Sequence, residues 1–373
     1  MEKRTIALAV LAMAALVGVI AIAVSYPVTD ADDCVCKTDS GTEATVLILG
    51  DQNQVNTVSD AIPYGDIKII VSDDYSFAYD VDWVIITDSW VNSNKSDSLE
   101  IVKKIVDSGV AVSVYDCKFD WDKTGLKISY SDDAIINSVC NYENKVKCLS
   151  VAYFDTNEAM KQTADWLIEI VNLKNSKLNY VESESYGTEI ESFCNYNNSG
   201  YGTTAVRTLY YKLNETNQNY DYYSGHFLAS MSPDGGSFNS GLDVSSTISS
   251  GTLLRYGPHT TQGTTTAGVN VGLTAGTDGV SYTVGPSWTY SIPDVVISDY
   301  TAMALNKLDI RHNVDETKLI GHTTFDGEPG KVVKLLSDTR YSGTDTYKSQ
   351  FCHYVLGHYV QYNDVSVHVN VLI

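Results

Sequence analysis

The sequence predicts an α+β multidomain chain: one membrane-spanning helix, then a three-layer α/β domain of flavodoxin-like or Rossmann-like type, then an all-β sandwich-like domain. Three observations lead there. Ile6 to Val24 runs nineteen residues without a charge. Residues 44–177 alternate short, wholly apolar runs with helical patterns. Residues 178–373 instead show two-residue alternation between turn residues. Residues 1–26 then hold the helix, and 27–43 form a linker.

At about 1.5 Å of rise per residue, the apolar run just spans a hydrocarbon core of about 30 Å. Lys3 and Arg4 precede it, and Asp30, Asp32 and Asp33 follow. The positive-inside rule therefore places the N-terminus in the cytoplasm and the bulk of the chain outside. A signal anchor and a single-pass membrane location are expected. Cleavage near the small residues Ala23-Val24-Ser25 would give a secreted protein instead.

In the α/β domain, Thr45–Leu49, Ile67–Val71, Trp83–Ile86 and Val110–Val114 read as strands buried on both faces. Gln54–Ile62 reads as a short helix. Ser96–Val106 reads as another, with Leu99, Val102, Ile105 and Val106 on one face and Gly109 as its C-terminal cap. Leu149–Phe154 supplies a strand and Asn157–Val171 a helix. Apolar strands separated by helices imply a parallel sheet covered on both sides. In the β domain, Ala205–Leu213 and Tyr220–Met231 read as paired strands. Ser287–Ile292 and Val365–Val371 alternate cleanly, and Ala302–Leu308 reads as a short helix.

The net charge of −21 repels nucleic acid, which is excluded as a partner. With 26 tyrosines and abundant Asn, Ser and Thr, the exterior suits an adhesive β surface. A surface protein, a glycan or a second copy of the chain are the expected partners, besides the membrane reached through the N-terminal helix. Seven cysteines outside the cytoplasm read as disulfide formers. Cys140 would close a loop with Cys148, Cys194 would join Cys352, and Cys34 or Cys36 would reach Cys117. Asn94, Asn197 and Asn214 open glycosylation sequons.

Asp51, Asp88 and Asp116 stand just beyond strands, at the edge where open parallel sheets bind ligands. Clustered there, they would hold Mg²⁺. Asp120 and Asp122, with Thr124 and Gly125, echo the start of a Ca²⁺ loop that lacks its closing glutamate. No nucleophile elbow, metalloprotease helix or glycine-rich phosphate loop appears. A non-enzymatic binding or structural role without a cofactor is therefore the first expectation, and a metal-dependent enzyme at the strand ends is an alternative.

The other alternative, ranked ahead of the enzyme, comes from Thr264 to Ile292. Val269, Val271 and Leu273 alternate with Asn270, Gly272 and Thr274, and after a turn Val280, Tyr282 and Val284 alternate with Ser281 and Thr283. Arms of about ten residues have the length of tilted membrane-crossing strands. This stretch, with Gly-Val-Ser-Tyr-Thr-Val-Gly-Pro-Ser-Trp-Thr-Tyr-Ser-Ile-Pro-Asp at 279–294, resembles the stem region of leukocidin/haemolysin-type β-pore toxins. The resemblance implies a β-sandwich cap, an insertable stem hairpin and ring oligomers. The α/β half and the N-terminal run depart from that pattern.

Overall fold

The structure, a computed structural model, describes residues 43–63, 67–142, 145–152, 155–176, 183–184, 187–215, 217–277 and 280–373. Strands β1 (Ala44–Leu49), β2 (Ile67–Val71), β3 (Trp83–Thr87) and β4 (Ala111–Tyr115) form a parallel unit in the order β2-β1-β3-β4. Helix α1 (Gln52–Ala61) joins β1 to β2, and α2 (Asp88–Ser93) and α3 (Ser98–Asp107) join β3 to β4. The apolar stripe of α3 buries Ile101, Val102, Ile105 and Val106. Gly109 takes the left-handed φ of +85° that ends the helix, as its position predicts.

The chain then departs from a doubly wound pattern. After α4 (Trp121–Thr124) and β5 (Ile128–Tyr130), β6 (Ile136–Tyr142) pairs antiparallel with β4, and β7 (Lys145–Val151) antiparallel with β6. Helix α5 (Thr156–Ser176) packs beside α1 over this part of the sheet. There Ala159, Met160, Ala164, Leu167, Ile170 and Val171 meet Val55, Val58 and the strands in one core.

Beyond β8 (Ser183–Glu184), β9 (Gly187–Asn198) pairs parallel with β7, from Val146↔Glu191 to Val151↔Tyr196. The sheet continues through β10 (Gly202–Leu213) and β11 (Tyr220–Pro233). The remaining elements are β12 (Ser237–Ser250), β13 (Thr252–Gly257), β14 (Thr266–Asn270), β15 (Leu273–Thr277), β16 (Val280–Val284), β17 (Ser287–Ser291) and β18 (Val295–Asp299). After them come β19 (Lys307–Val314), α6 (Leu319–His322), β20 (Phe325–Gly327), β21 (Gly330–Leu336), β22 (Ser342–Val355) and β23 (His358–Leu372).

Two large sheets result. One has thirteen strands along the path β13-β21-β11-β10-β9-β7-β6-β4-β3-β1-β2, with β20 added to β11 and β8 to β9. The other has six, in the order β18-β19-β12-β22-β23-β5. They face each other across one apolar core that holds Phe227, Met231, Leu242, Val244, Ile310, Tyr347 and Phe351.

This corrects the expected fold class. The chain is predominantly β, and its parallel unit is one end of a sheet shared with the second half, not the centre of a separate three-layer α/β domain. Strand β5 even crosses to the smaller sheet, where Ile128 lies opposite Leu372. Pairing between distant strands leaves no periodicity in either strand, so alternation alone did not reveal the shared sheet.

Membrane anchoring is corrected as well. The expected span, Ile6–Val24, lies outside the described residues. Among those residues no helix is long and apolar enough to cross a membrane. The longest, α5, carries Glu158, Lys161, Asp165, Glu169 and Lys174 along its length. A single-pass topology, a signal anchor and a membrane partner reached through an N-terminal helix therefore find no support, while secretion remains compatible with the structure.

The disulfide expectation fails on register. Among the described residues no disulfide is formed, and Cys117, Cys140, Cys148 and Cys352 are free thiols. In the β6–β7 hairpin Val139 lies opposite Cys148, and Cys140 lies opposite Lys147. Successive strand residues point to opposite faces, so Cys140 enters the core under α5 while Cys148 enters the core between the sheets. Cys194 sits on β9 of the larger sheet and Cys352 on β22 of the smaller. Cys34 and Cys36 lie outside the described residues. Burial pushes the Cys140 and Cys148 thiols up, the second well above its ordinary value. In a thiol titration of the unreduced protein, Cys140 and Cys148 should be silent in the native state and react fully after denaturation. A count that rises only on adding reductant would show a bridge.

Candidate functional site

The strand-end aspartates each make separate local contacts. Asp51 caps α1, accepting from the Asn53 and Gln54 backbone N–H groups at 3.0 Å each. Asp88 accepts from Asn92 at 2.7 Å on the next helix. Asp88 and Asp116 both lie near Cys117, whose thiol is pushed up to about 12, first by burial and then by these two charges. Asp120 caps α4 and pairs with Lys123 at 2.5 Å, whereas Asp122 accepts from the Tyr130 hydroxyl at 2.8 Å. Among the described residues no group of three or more His, Cys, Asp or Glu side chains is placed to hold a metal ion. Of the sequon asparagines, Asn214 is exposed and Asn94 and Asn197 are half-buried, bonded to the carbonyls of Trp90 at 2.9 Å and Ser366 at 3.5 Å.

The segment 264–292 is a hairpin in two sections. Its base pairs β14 with β17, placing Ala267 opposite Tyr290 and Val269 opposite Trp288. Its outer part pairs β15 with β16, placing Leu273 opposite Val284 and Ala275 opposite Tyr282. Between them Gly272 and Gly285 pass so closely that a Cβ on Gly285 would lie 2.8 Å from the Gly272 Cα. Gly285 also has a φ of +134°, which only glycine adopts readily. Among the described residues, each section is a two-stranded sheet with no third strand beside it.

One face of the base is fully seated. Ala267, Val269, Val271, Trp288, Tyr290 and Ile292 are buried in the core between the sheets, while Thr266, Gly268, Asn270, Ser287, Thr289 and Ser291 are exposed. Trp288 stacks on His226 with ring centroids 4.0 Å apart, and its indole N–H donates to the Glu328 carbonyl at 2.8 Å. The ring also fills the space over Gly330, where a Cβ would lie 2.4 Å from it. The hairpin thus lies against β11, β21 and β19 and closes one side of the sandwich.

Tyr290 is held by a buried histidine that the sequence did not single out. The Tyr290 hydroxyl meets His312 Nε2 at 2.5 Å, and His312 Nδ1 meets the Leu242 carbonyl at 3.2 Å. A carbonyl accepts only, so Nδ1 carries the proton and Nε2 accepts from the tyrosine. Burial depresses the His312 pKa to about 4, against a smaller upward pull from the Leu242 carbonyl.

A second group the sequence did not single out joins the two sheets. Lys331 of β21 is buried with its ammonium 2.8 Å from Asp345 of β22, 2.7 Å from the Tyr341 hydroxyl and 2.6 Å from Ser246. Tyr210 of β10 donates to the other oxygen of Asp345. Phe227 presents its ring to the ammonium at 4.9 Å. Burial works to lower the Lys331 pKa, but Asp345 and Tyr341 outweigh it, so the ammonium is held above its ordinary value.

No protein-family model matches the chain. No characterised protein matches it in sequence. Among solved structures it is similar to the Clostridium perfringens NetB toxin in its membrane-inserted form, at 4% identity and a TM-score of 0.26 over 48% of this chain and 90% of that one. It is also similar to the C-terminal domain of the Streptococcus pyogenes antigen I/II-family protein AspA, at 10% identity and a TM-score of 0.20 over 46% of this chain and 56% of that one. Likeness at this level is weak and carries no argument about activity.

The His312 site has a testable pH signature. Between pH 6.5 and about 4 the unfolded chain binds a proton that the folded chain excludes, so stability falls as the pH falls through that window. The full loss is about 3 kcal/mol, reached below the folded value. Denaturant unfolding of the wild type should show this slope, and His312→Gln should flatten it. An unchanged slope in the variant would assign it to other groups.

Proposed function

We propose that the chain is a β-pore-forming protein whose hairpin 264–292 leaves its seat on the sandwich and enters a bilayer as one stem of a ring-shaped barrel. One observation carries this reading: a hairpin with no neighbouring strand among the described residues, whose sequence alternates apolar residues with small and polar ones. Thr266–Thr277 and Val280–Ser291 are each twelve residues long, above the roughly 9–11 that a tilted transmembrane strand needs. Between His259 and Asp294 the only charged residue in the sequence is Asp278.

The physical logic is that of a closed barrel. Lipid satisfies no backbone group, so a spanning hairpin must find strands on both edges. A ring of copies supplies them, because the free edges of one hairpin pair with the next. The alternation that now faces core and solvent would then face lipid and lumen. The core contacts of Val269, Val271 and Trp288 would be exchanged for lipid rather than for water, which removes most of the hydrophobic cost of unseating.

A second feature supports contact with a bilayer. The β22–β23 hairpin ends in Tyr354, Val355 and Leu356, and Leu356 is 97% exposed. An aromatic next to an aliphatic tip suits the headgroup boundary. The net charge of −21 directs the protein to zwitterionic rather than anionic lipid.

Dye release from phosphatidylcholine vesicles tests the reading. The wild type should release dye, and proline at Val271 or Tyr282 should abolish release by removing ladder donors. Release that is indifferent to both prolines would overturn the assignment. In planar bilayers Gly268→Lys, on the exposed face where a Cβ meets only Thr289 at 3.9 Å, should keep conductance and shift it toward anions.

A further inference from the structure

The buried cluster between the sheets goes beyond the pore reading and does not depend on it. In the larger sheet Glu191, Tyr210, Gly225 and Lys331 lie in one lateral row across β9, β10, β11 and β21, each opposite the next. Gly225 lets its neighbours converge, since a Cβ there would sit 3.2 Å from the Tyr210 ring and 3.3 Å from Lys331 Cε. In the smaller sheet Asp345 lies opposite Ser246 in register and faces this row. Lys331 and Asp345 are each buried to 1% exposure. The rings of Tyr210, Phe227 and Tyr341 lie around the ammonium, and Tyr347 packs against Phe227.

We propose that Lys331 and Asp345 condense without an external enzyme into an intramolecular amide that joins the two sheets covalently.

The step balances within the cluster. A proton passes from the Lys331 ammonium along its 2.8 Å hydrogen bond to Asp345 Oδ1, leaving a neutral amine and a neutral acid. The amine nitrogen attacks Cγ, and charge develops on Oδ2, where the Tyr210 hydroxyl already donates. Oδ1 takes a second proton from the nitrogen and departs as water. One N–C bond forms, one C–O bond breaks, and nothing is oxidised or reduced. Ser246 and Tyr341, the other partners of Nζ, hold the amine against the acid.

Two features drive the reaction forward. The condensation removes two opposite charges from a dry core, where each is costly to keep. The surroundings also favour the neutral form of Glu191, next to Tyr210 in the row: burial first, then the charge of Asp345, lifts its pKa to about 8 against the opposing hydrogen bonds of Ser129 and Cys148.

Tryptic digestion of the denatured full-length chain decides the matter. Without the bond, trypsin cuts after Lys331, Lys334, Arg340 and Lys348 and releases the linear peptides 319–331 and 341–348. With it, Lys331 resists cleavage, and a branched species joins residues 319–334 to 341–348, lighter by one water than the sum of its parts. The peptide 335–340 is still released. We expect the branched species in the wild type and its complete loss in Lys331→Arg. Recovery of both linear peptides at full mass from folded wild type would overturn the proposal and leave a simple ion pair. Tyr210→Phe, which keeps the ring and removes the donor, should lower the branched fraction; an undiminished fraction would remove Tyr210 from the mechanism.

Discussion

The pairing of Lys331 with Asp345 is the constraint that the sandwich is built around. A lone buried charge costs several kcal/mol, so neither residue is tolerable without the other at hydrogen-bond distance. That fixes β21 of the larger sheet against β22 of the smaller to within the reach of two side chains. Everything nearby serves the same requirement. Gly225 vacates the space, Ser246 and Tyr341 satisfy the remaining ammonium protons, and Tyr210 satisfies the second carboxylate oxygen. Hydrophobic packing alone would let the sheets slide; the polar cluster specifies one registry.

The hairpin 264–292 is fitted to this frame with a different kind of contact. Its seat is apolar and aromatic, with directed bonds from Trp288 to Glu328 and from Tyr290 to His312. It shares no strand ladder with either large sheet. Leaving the seat would therefore break side-chain packing but no backbone pairing. The hairpin could therefore move without dismantling either large sheet.

Strand identity was legible in the sequence where burial on both faces leaves an unbroken apolar run, as in Trp83–Thr87 and Ala111–Tyr115. The hairpin was legible through its alternation, odd positions apolar from Ala267 to Ala275 and even positions from Val280 to Ile292. What joins the two halves was not. Strand β9 alternates buried and half-buried residues and meets β7 across the whole of α5, a contact that neither segment encodes by itself. Ala302–Leu308 was read as a helix, but a single 3-10 turn there gives way to β19 at Lys307, whose alternation extends to Val314. Charge is the ordinary mark of a solvated position, so Lys331 and Asp345 do not stand out in the sequence. Parity holds a usable signal: from Ser342 to Ser349 the buried positions of β22 are Gly343, Asp345, Tyr347 and Ser349, so Asp345 shares the inner face.

The two buried devices meet at Gly330 and Lys331. Trp288 of the hairpin covers the first, and the cluster between the sheets holds the second. A sandwich that gives up its hairpin loses the cover of Trp288, Tyr290 and Val269 from that side of the core, and β21 is the strand most directly uncovered. If the remaining sheets were held by burial alone, unseating the hairpin would threaten the cap itself. A charged pair at that strand resists sliding but weakens once water enters, since its strength depends on a dry surrounding. An amide at the same atoms does not depend on the surrounding at all. The position of the cluster, one residue beyond the hairpin's seat, is therefore where a covalent bond would matter most to a cap that must stay folded while its stem departs.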